Sequence, residues 1–327
     1  RSRSRITLEM KQILIHSYSL LGNIYICLAD YKQALEYHKK CLELKKMRYR
    51  ENSLTIAETY EHLGLVYQAT GQHQKALEHF QKSLEIKQKI LHEGGIHPEL
   101  ADCHANIGTA YQLLGQFELA VKHHQTSLEI YKKIYPENHP KTANSYTRLG
   151  QLYEIQGEYQ QAWEYLEKGL QIQKTLYLEE QNHPDLGDLY GIFGQVNAEL
   201  GRCNEALENY QKSLNIYKKV FPNHHAKIVG SLSSISVTYL DPGDYQKALE
   251  AFQEAQEIYL HNNNSNSNQG IAAVYNNIGI TYHSMADNIK AMKYLEKASE
   301  LMRQAYSDLE CHPDIAFVDR NLACVYR

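Results

Sequence analysis

One eight-residue pattern recurs eight times along this 327-residue chain, and it constrains the fold more than any other feature. The pattern is aromatic, two residues, apolar, small, two residues, Tyr. It reads YSLLGNIY (18–25), YEHLGLVY (60–67), HANIGTAY (104–111), YTRLGQLY (146–153), YGIFGQVN (190–197), LSSISVTY (232–239), YNNIGITY (275–282) and DRNLACVY (319–326). The small residues Gly22, Gly64, Gly108, Gly150, Gly194, Ser236, Gly279 and Ala323 stand 42 to 44 residues apart. A unit of that length cannot bury its own apolar face, so such a chain must stack its units side by side.

Each unit carries further punctuation. Seven residues after the small residue comes Gly71, Gly115, Gly157, Gly201 or Gly243, with Ala29 and Ala286 in the first and seventh units. Glycine there suits a helix end that needs positive φ. Five residues later stands an alanine: Ala34, Ala76, Ala120, Ala162, Ala206, Ala248 or Ala291. A second segment follows with apolar residues at helical spacing, as in ALEHFQKSLEI (76–86). Two small columns let paired helices approach closely while the Tyr fills the space beside them.

Before the motif the chain breaks at His97-Pro98, His139-Pro140, His183-Pro184 and His312-Pro313, and His224-His225 takes that place once. Proline is at home in a first helical turn, and Glu99, Asp185 and Asp314 suit the positive end of the helix dipole. Each unit therefore reads as loop, helix A, turn, helix B. The chain is expected to be all-α, with units near 12–52, 53–96, 97–138, 139–182, 183–224, 225–267 and 268–311, and a partial one at 312–327. The uncharged stretch Ile13 to Ala29 matches the other A helices and contains His16, Ser17, Ser19 and Asn23, so it reads as solenoid helix and not as a membrane span.

At these residues the chain resembles tetratricopeptide repeats, in particular the long variety found in the kinesin light chain family. The resemblance covers nearly the whole chain. It implies one right-handed α-solenoid, a superhelix of about seven to eight helix-turn-helix repeats across residues 1–327, with A helices on its concave wall. Kinesin-light-chain-like repeats carry an Asn just before the apolar-small pair, as a ladder for a peptide backbone. Here that column reads Leu20, His62, Asn106, Arg148, Ile192, Ser234, Asn277, Asn321, so three of eight keep it.

Catalytic and metal chemistry find little support. His92-Glu93-Gly94-Gly95-Ile96-His97 fails as a zinc-protease motif, since the second His comes five residues on and two glycines break the helix. The His-Pro histidines read as caps, and His123-His124 point about 100° apart on a helix. Cys103-His104 reads as core or groove lining, and 12 of the 26 tyrosines fall in the two aromatic columns of helix A as packing. No phosphate loop, nucleophile elbow or strand-like alternation occurs. The expectation is therefore no enzyme, no metal and no cofactor.

Lys and Arg number 34 against 38 Asp and Glu, a net charge of −4, so neither nucleic acid nor a membrane is the expected partner. Six scattered cysteines without a C-x-x-C suggest unpaired thiols and a cytoplasmic protein. The opening RSRSR reads as a solvated end, HNNNSNSN (261–268) as a flexible loop, and the missing initiator Met as a sign of a longer chain.

The functional expectation is a protein or peptide partner held extended in the groove. The columns left free of packing flank the motif, and in the third and fourth repeats they include Asn106, Thr109, Gln112, Thr147, Arg148, Gln151 and Glu154, with Gln195 in the fifth. Amides and hydroxyls in a row can bond a peptide backbone. In the fifth and sixth repeats the same columns turn smaller, through Gly191, Ile192, Ala198, Ser233, Ser234, Val237 and Leu240. The alternative is a regulatory or sensor array of a larger enzyme or signalling NTPase, with a fused domain elsewhere in the full-length chain.

Overall fold

The computed structural model describes residues 2–91, 96–177, 183–222, 225–261, 268–306 and 312–326, with the side chains of 2–8 and 261 left aside. These residues form fifteen α-helices and no strand. The A helices are α1 (Ser2–Cys27), α3 (Leu54–Ala69), α5 (Pro98–Leu113), α7 (Pro140–Ile155), α9 (Pro184–Glu199), α11 (Ala226–Leu240), α13 (Asn268–Ser284) and α15 (Pro313–Val325). The B helices are α2 (Tyr31–Arg48), α4 (His73–Leu91), α6 (Phe117–Ile134), α8 (Tyr159–Leu176), α10 (Cys203–Val220), α12 (Tyr245–His261) and α14 (Asn288–Ala305). The chain gathers into two compact units, one ending at Leu176 and one beginning at Tyr177. In each, helices A and B of a repeat pack together, and within the unit a B helix packs on the A helix that follows it. His92 to Gly95, residues 262–267 of the asparagine-rich tract, His224 and Cys311 lie outside the described residues, as do the side chains of the basic start.

Helix starts follow the His-Pro signals, with the histidine as the capping group. His97, His139, His183 and His312 each accept a bond at Nδ1 from the backbone N–H two residues on, at 3.2 to 3.3 Å. His225 does the same for Lys227 at 3.2 Å without a proline behind it. A preceding aromatic ring braces four of these caps, Tyr135 on His139 at 3.7 Å, Tyr177 on His183 at 4.0 Å, Phe221 on His225 at 3.9 Å and Tyr306 on His312 at 3.5 Å. An accepting Nδ1 requires a neutral imidazole.

At the A-to-B turn all seven expected positions take positive φ, from 57° at Ala29 and 60° at Ala286 to 81° at Gly243. The two alanines adopt a conformation that costs an L-residue about 1 kcal/mol or more. Seven alanines follow, from Ala34 to Ala291, and all are fully buried. Opposite each glycine of this helix-A column lies one ring or branched side chain of helix B. A Cβ on Gly64 would stand 2.6 Å from Phe80, one on Gly150 2.5 Å from Leu166 and one on Gly194 2.5 Å from Tyr210. Glycine is required here by close approach, and the pairing sets how each hairpin closes.

The tyrosine columns form ring sandwiches. Tyr18 and Tyr25 enclose Tyr37, Tyr146 and Tyr153 enclose Tyr165, and Tyr275 and Tyr282 enclose Tyr294, with centroids 5.1 to 6.2 Å apart. Histidine takes the middle place in the second and third repeats, as His79 and His123. A longer spacing also emerges. In unit one Tyr131 donates to Asp102, whose carboxylate also holds Lys141 at 2.6 Å. In unit two Tyr217, Asp188 and Lys227 repeat that arrangement 86 residues on. This arrangement thus recurs two repeats on, and both tyrosine hydroxyls are held well above the usual phenol range, by burial first and then by the neighbouring carboxylate.

Candidate functional site

In unit one the residues expected to line the groove sit on α5 and α7. Asn106, Gln112 and Gln151 are half-buried and Arg148 is exposed, and none of the four has a hydrogen-bonding partner among the described residues. The threonines differ. Thr109 Oγ1 donates to the Ala105 carbonyl at 3.0 Å and Thr147 Oγ1 to the Ala143 carbonyl at 3.1 Å, so their donors are satisfied within their own helices. Thr147 also faces α8, where a Cβ on Gly169 would meet its hydroxyl at 3.1 Å. Glu154 is half-buried and engaged with neighbouring groups. Beneath Arg148 lies His124, fully buried on α6 with neither ring nitrogen bonded.

In unit two the matching columns enclose a cavity of about 440 Å³ between α9 and α11, floored by Tyr210 of α10. Gln195 and Ala198 line it from α9, and Ser233, Ser234 and Val237 from α11. These positions lie 86 residues beyond Thr109, Gln112, Thr147, Arg148 and Gln151, so one surface is presented twice. Its filling differs. Where unit one places Gln112, Arg148 and Gln151, unit two has Ala198, Ser234 and Val237, and the shorter side chains leave open volume. Glu199, Thr238 and Asp241 complete the lining and were not legible as cavity residues, because they stand one position beyond the columns counted from the motif. The run of small residues from Ala198 to Ser234 was the available signal.

The remaining reactive groups are structural. Cys103 is fully buried, its thiol donates to Glu61 Oε1 at 2.9 Å, and burial followed by that carboxylate pushes its pKa far up, which removes thiolate character. Glu61 in turn pairs with the buried Lys87 at 2.9 Å. His104 Nδ1 meets His123 Nδ1 at 3.0 Å, while His124 turns away to pack on Gly108. Among the described residues no three His, Cys, Asp or Glu side chains converge as metal ligands, and no helix is long and apolar enough to cross a membrane.

Antiparallel helix pairs in sequence, closed by small-residue columns, define an all-α repeat solenoid. The profile of the tetratricopeptide repeat matches residues 14–89, 99–175, 185–261 and 232–304, and the chain belongs to that family. Kinesin-light-chain-like, nearly identical TPR-like repeats from Podosopora anserina are 25% identical over 63% of this chain and 96% of that one, with a TM-score of 0.55. The apo form of RapI is 18% identical over 88% of this chain and 97% of that one, TM-score 0.61. Aspartyl phosphate phosphatase F from Bacillus subtilis is 17% identical over 90% of this chain and 71% of that one, TM-score 0.62. The last two likenesses concern the fold alone. No curated protein sequence matches the chain.

Proposed function

We propose that the protein is a non-catalytic, cytoplasmic scaffold that holds an extended partner segment along the A-helix face. Repeats of this family typically serve as protein-interaction scaffolds. The observation that carries the reading for this chain is the cavity between α9 and α11, about 440 Å³ with hydroxyl and amide groups on its walls. A cavity of that size takes one or two side chains of a bound segment. The equivalent row in unit one supplies Asn106, Gln112, Arg148 and Gln151 with free hydrogen-bonding capacity, and Arg148 adds a planar fork suited to a carboxylate.

The test is capture of partners with the purified chain, followed by the same capture with the cavity filled by Ala198→Trp or with the unit-one row altered by Asn106→Ala plus Arg148→Glu. Lys133→Glu on α6 serves as a control away from the A-helix face. The groove variants are expected to weaken binding by roughly tenfold per lost polar contact, about 1.4 kcal/mol. Retention of every partner by both groove variants, with loss in the control, would move the site to the B-helix face.

A further inference from the structure

Unit one carries a second cavity, of about 280 Å³, lined by Lys46 of α2, Ile56 and Tyr60 of α3, and Lys82, Ile86 and Lys89 of α4. Lys46 and Lys82 both approach the Tyr60 ring, with ammonium nitrogens 5.5 and 5.8 Å from its centroid. Two carboxylates share the lining. Glu85 is neutralised by Lys89 at 2.6 Å, and Glu51 stands exposed before α3. Neither Lys46 nor Lys82 has a carboxylate partner among the described residues.

The same columns repeat the lysine–tyrosine–lysine set at Lys132, Tyr146 and Lys168, 86 residues on, and unit two shows them with an acid in place of one lysine. Lys218 and Glu254 stand 172 residues beyond Lys46 and Lys82, and they form an ion pair at 2.6 Å. Leu232 there replaces Tyr60. The fold accepts an acid at this position and gains an ion pair from it, whereas two lysines repel. Both ammonium groups stand over one ring without a carboxylate of their own, and a bound anion would supply the missing charge.

We propose that the Lys46–Tyr60–Lys82 cleft binds a phosphorylated side chain of a peptide. Two monocations call for two negative charges in one place, which a phosphomonoester carries at neutral pH and a single carboxylate does not. Lysines serve phosphate as point charges without the planar matching that carboxylates favour. Ile86, half-buried in the lining, gives the stem of the phosphorylated residue an apolar wall. The site stands apart from the A-helix groove and does not depend on it.

The experiment titrates a labelled pentapeptide, phosphoserine flanked by alanines, into the purified chain at low salt, beside its unphosphorylated and glutamate-substituted forms. The phosphorylated form is expected to bind, with both others at least about tenfold weaker. Lys82→Glu, which installs the residue found at the matching position of unit two, is expected to abolish binding without lowering the melting temperature. Arg148→Glu is expected to leave it unchanged. The proposal is overturned by undiminished binding to Lys82→Glu, by equal binding of the glutamate peptide, or by no binding of the phosphorylated form at low-millimolar concentration.

Discussion

Gly108 and His124 are matched in size: a Cβ on the glycine would lie 2.7 Å from the imidazole Cδ2, so the ring fills the space a side chain on α5 would need. Gly22 and His38 repeat the fit, with a gap of 2.5 Å to Nε2. Both rings are fully buried and neither nitrogen of either is bonded. Burial depresses both pKa values to about 4, helped at His38 by His62 and Lys45 and at His124 by Arg148 and His123.

Acid lability follows. The folded pKa of about 4 lies below the unfolded value near 6.5, so the stabilisation is present above pH 6.5 and is lost as pH falls toward 4. Each ring contributes on the order of 3 kcal/mol to that loss. His38→Phe and His124→Phe, which copy Phe80 of the second repeat, are expected to flatten the dependence. Urea midpoints measured from pH 7.5 to 4.5 check it, and equal slopes in parent and double variant would refute it.

Ala286 holds φ at 60° where five other repeats have glycine. Ala286→Gly is expected to stabilise by about 0.5–1 kcal/mol, the relief of left-handed strain less the added unfolded-state entropy. Thermal melting of that variant and of Ala29→Gly would show it as a raised midpoint.

Ala162 is fully buried, and its carbonyl would lie 3.2 Å from a Cβ on Gly150. Ala162→Leu is expected to wedge α7 from α8 and cost about 1–3 kcal/mol. Chemical denaturation reports the change, and an unshifted midpoint would mean that the hairpin has slack the close approach denies.

Asp188 receives Tyr217 and Lys227 at once. Asp188→Ala is expected to cost about 1 kcal/mol, because the carboxylate is partly exposed and solvent screens the ion pair. Asp102→Ala in unit one should match it, since the partners are the same. Unequal losses in denaturation would show that the two-repeat recurrence is geometric only.

The sequence by itself determined the helix order, the turns and the caps. Each of these is local: a glycine or alanine seven residues past the small column, a histidine whose ring can reach the second N–H of its own helix, a proline whose missing donor costs nothing there. Even the small-residue columns were legible, since hairpin partners sit close in sequence. The residues expected to line a groove are defined by sequence only as columns, because spacing says which face a residue is on but not whether its neighbours leave room or its hydroxyl bonds back to its own helix, as Thr109 and Thr147 do. Exposure depended on tertiary structure too. Leu14 and Ile56 occupy the same column of helix A, yet Leu14 is 40% exposed and Ile56 1%. The difference lies in whether another helix packs against that face, and burial is a property of the neighbour as much as of the residue. The Lys46–Lys82 cleft was equally beyond sequence reasoning, because like charges 36 residues apart become a site only when two stacked helices bring them to one tyrosine ring.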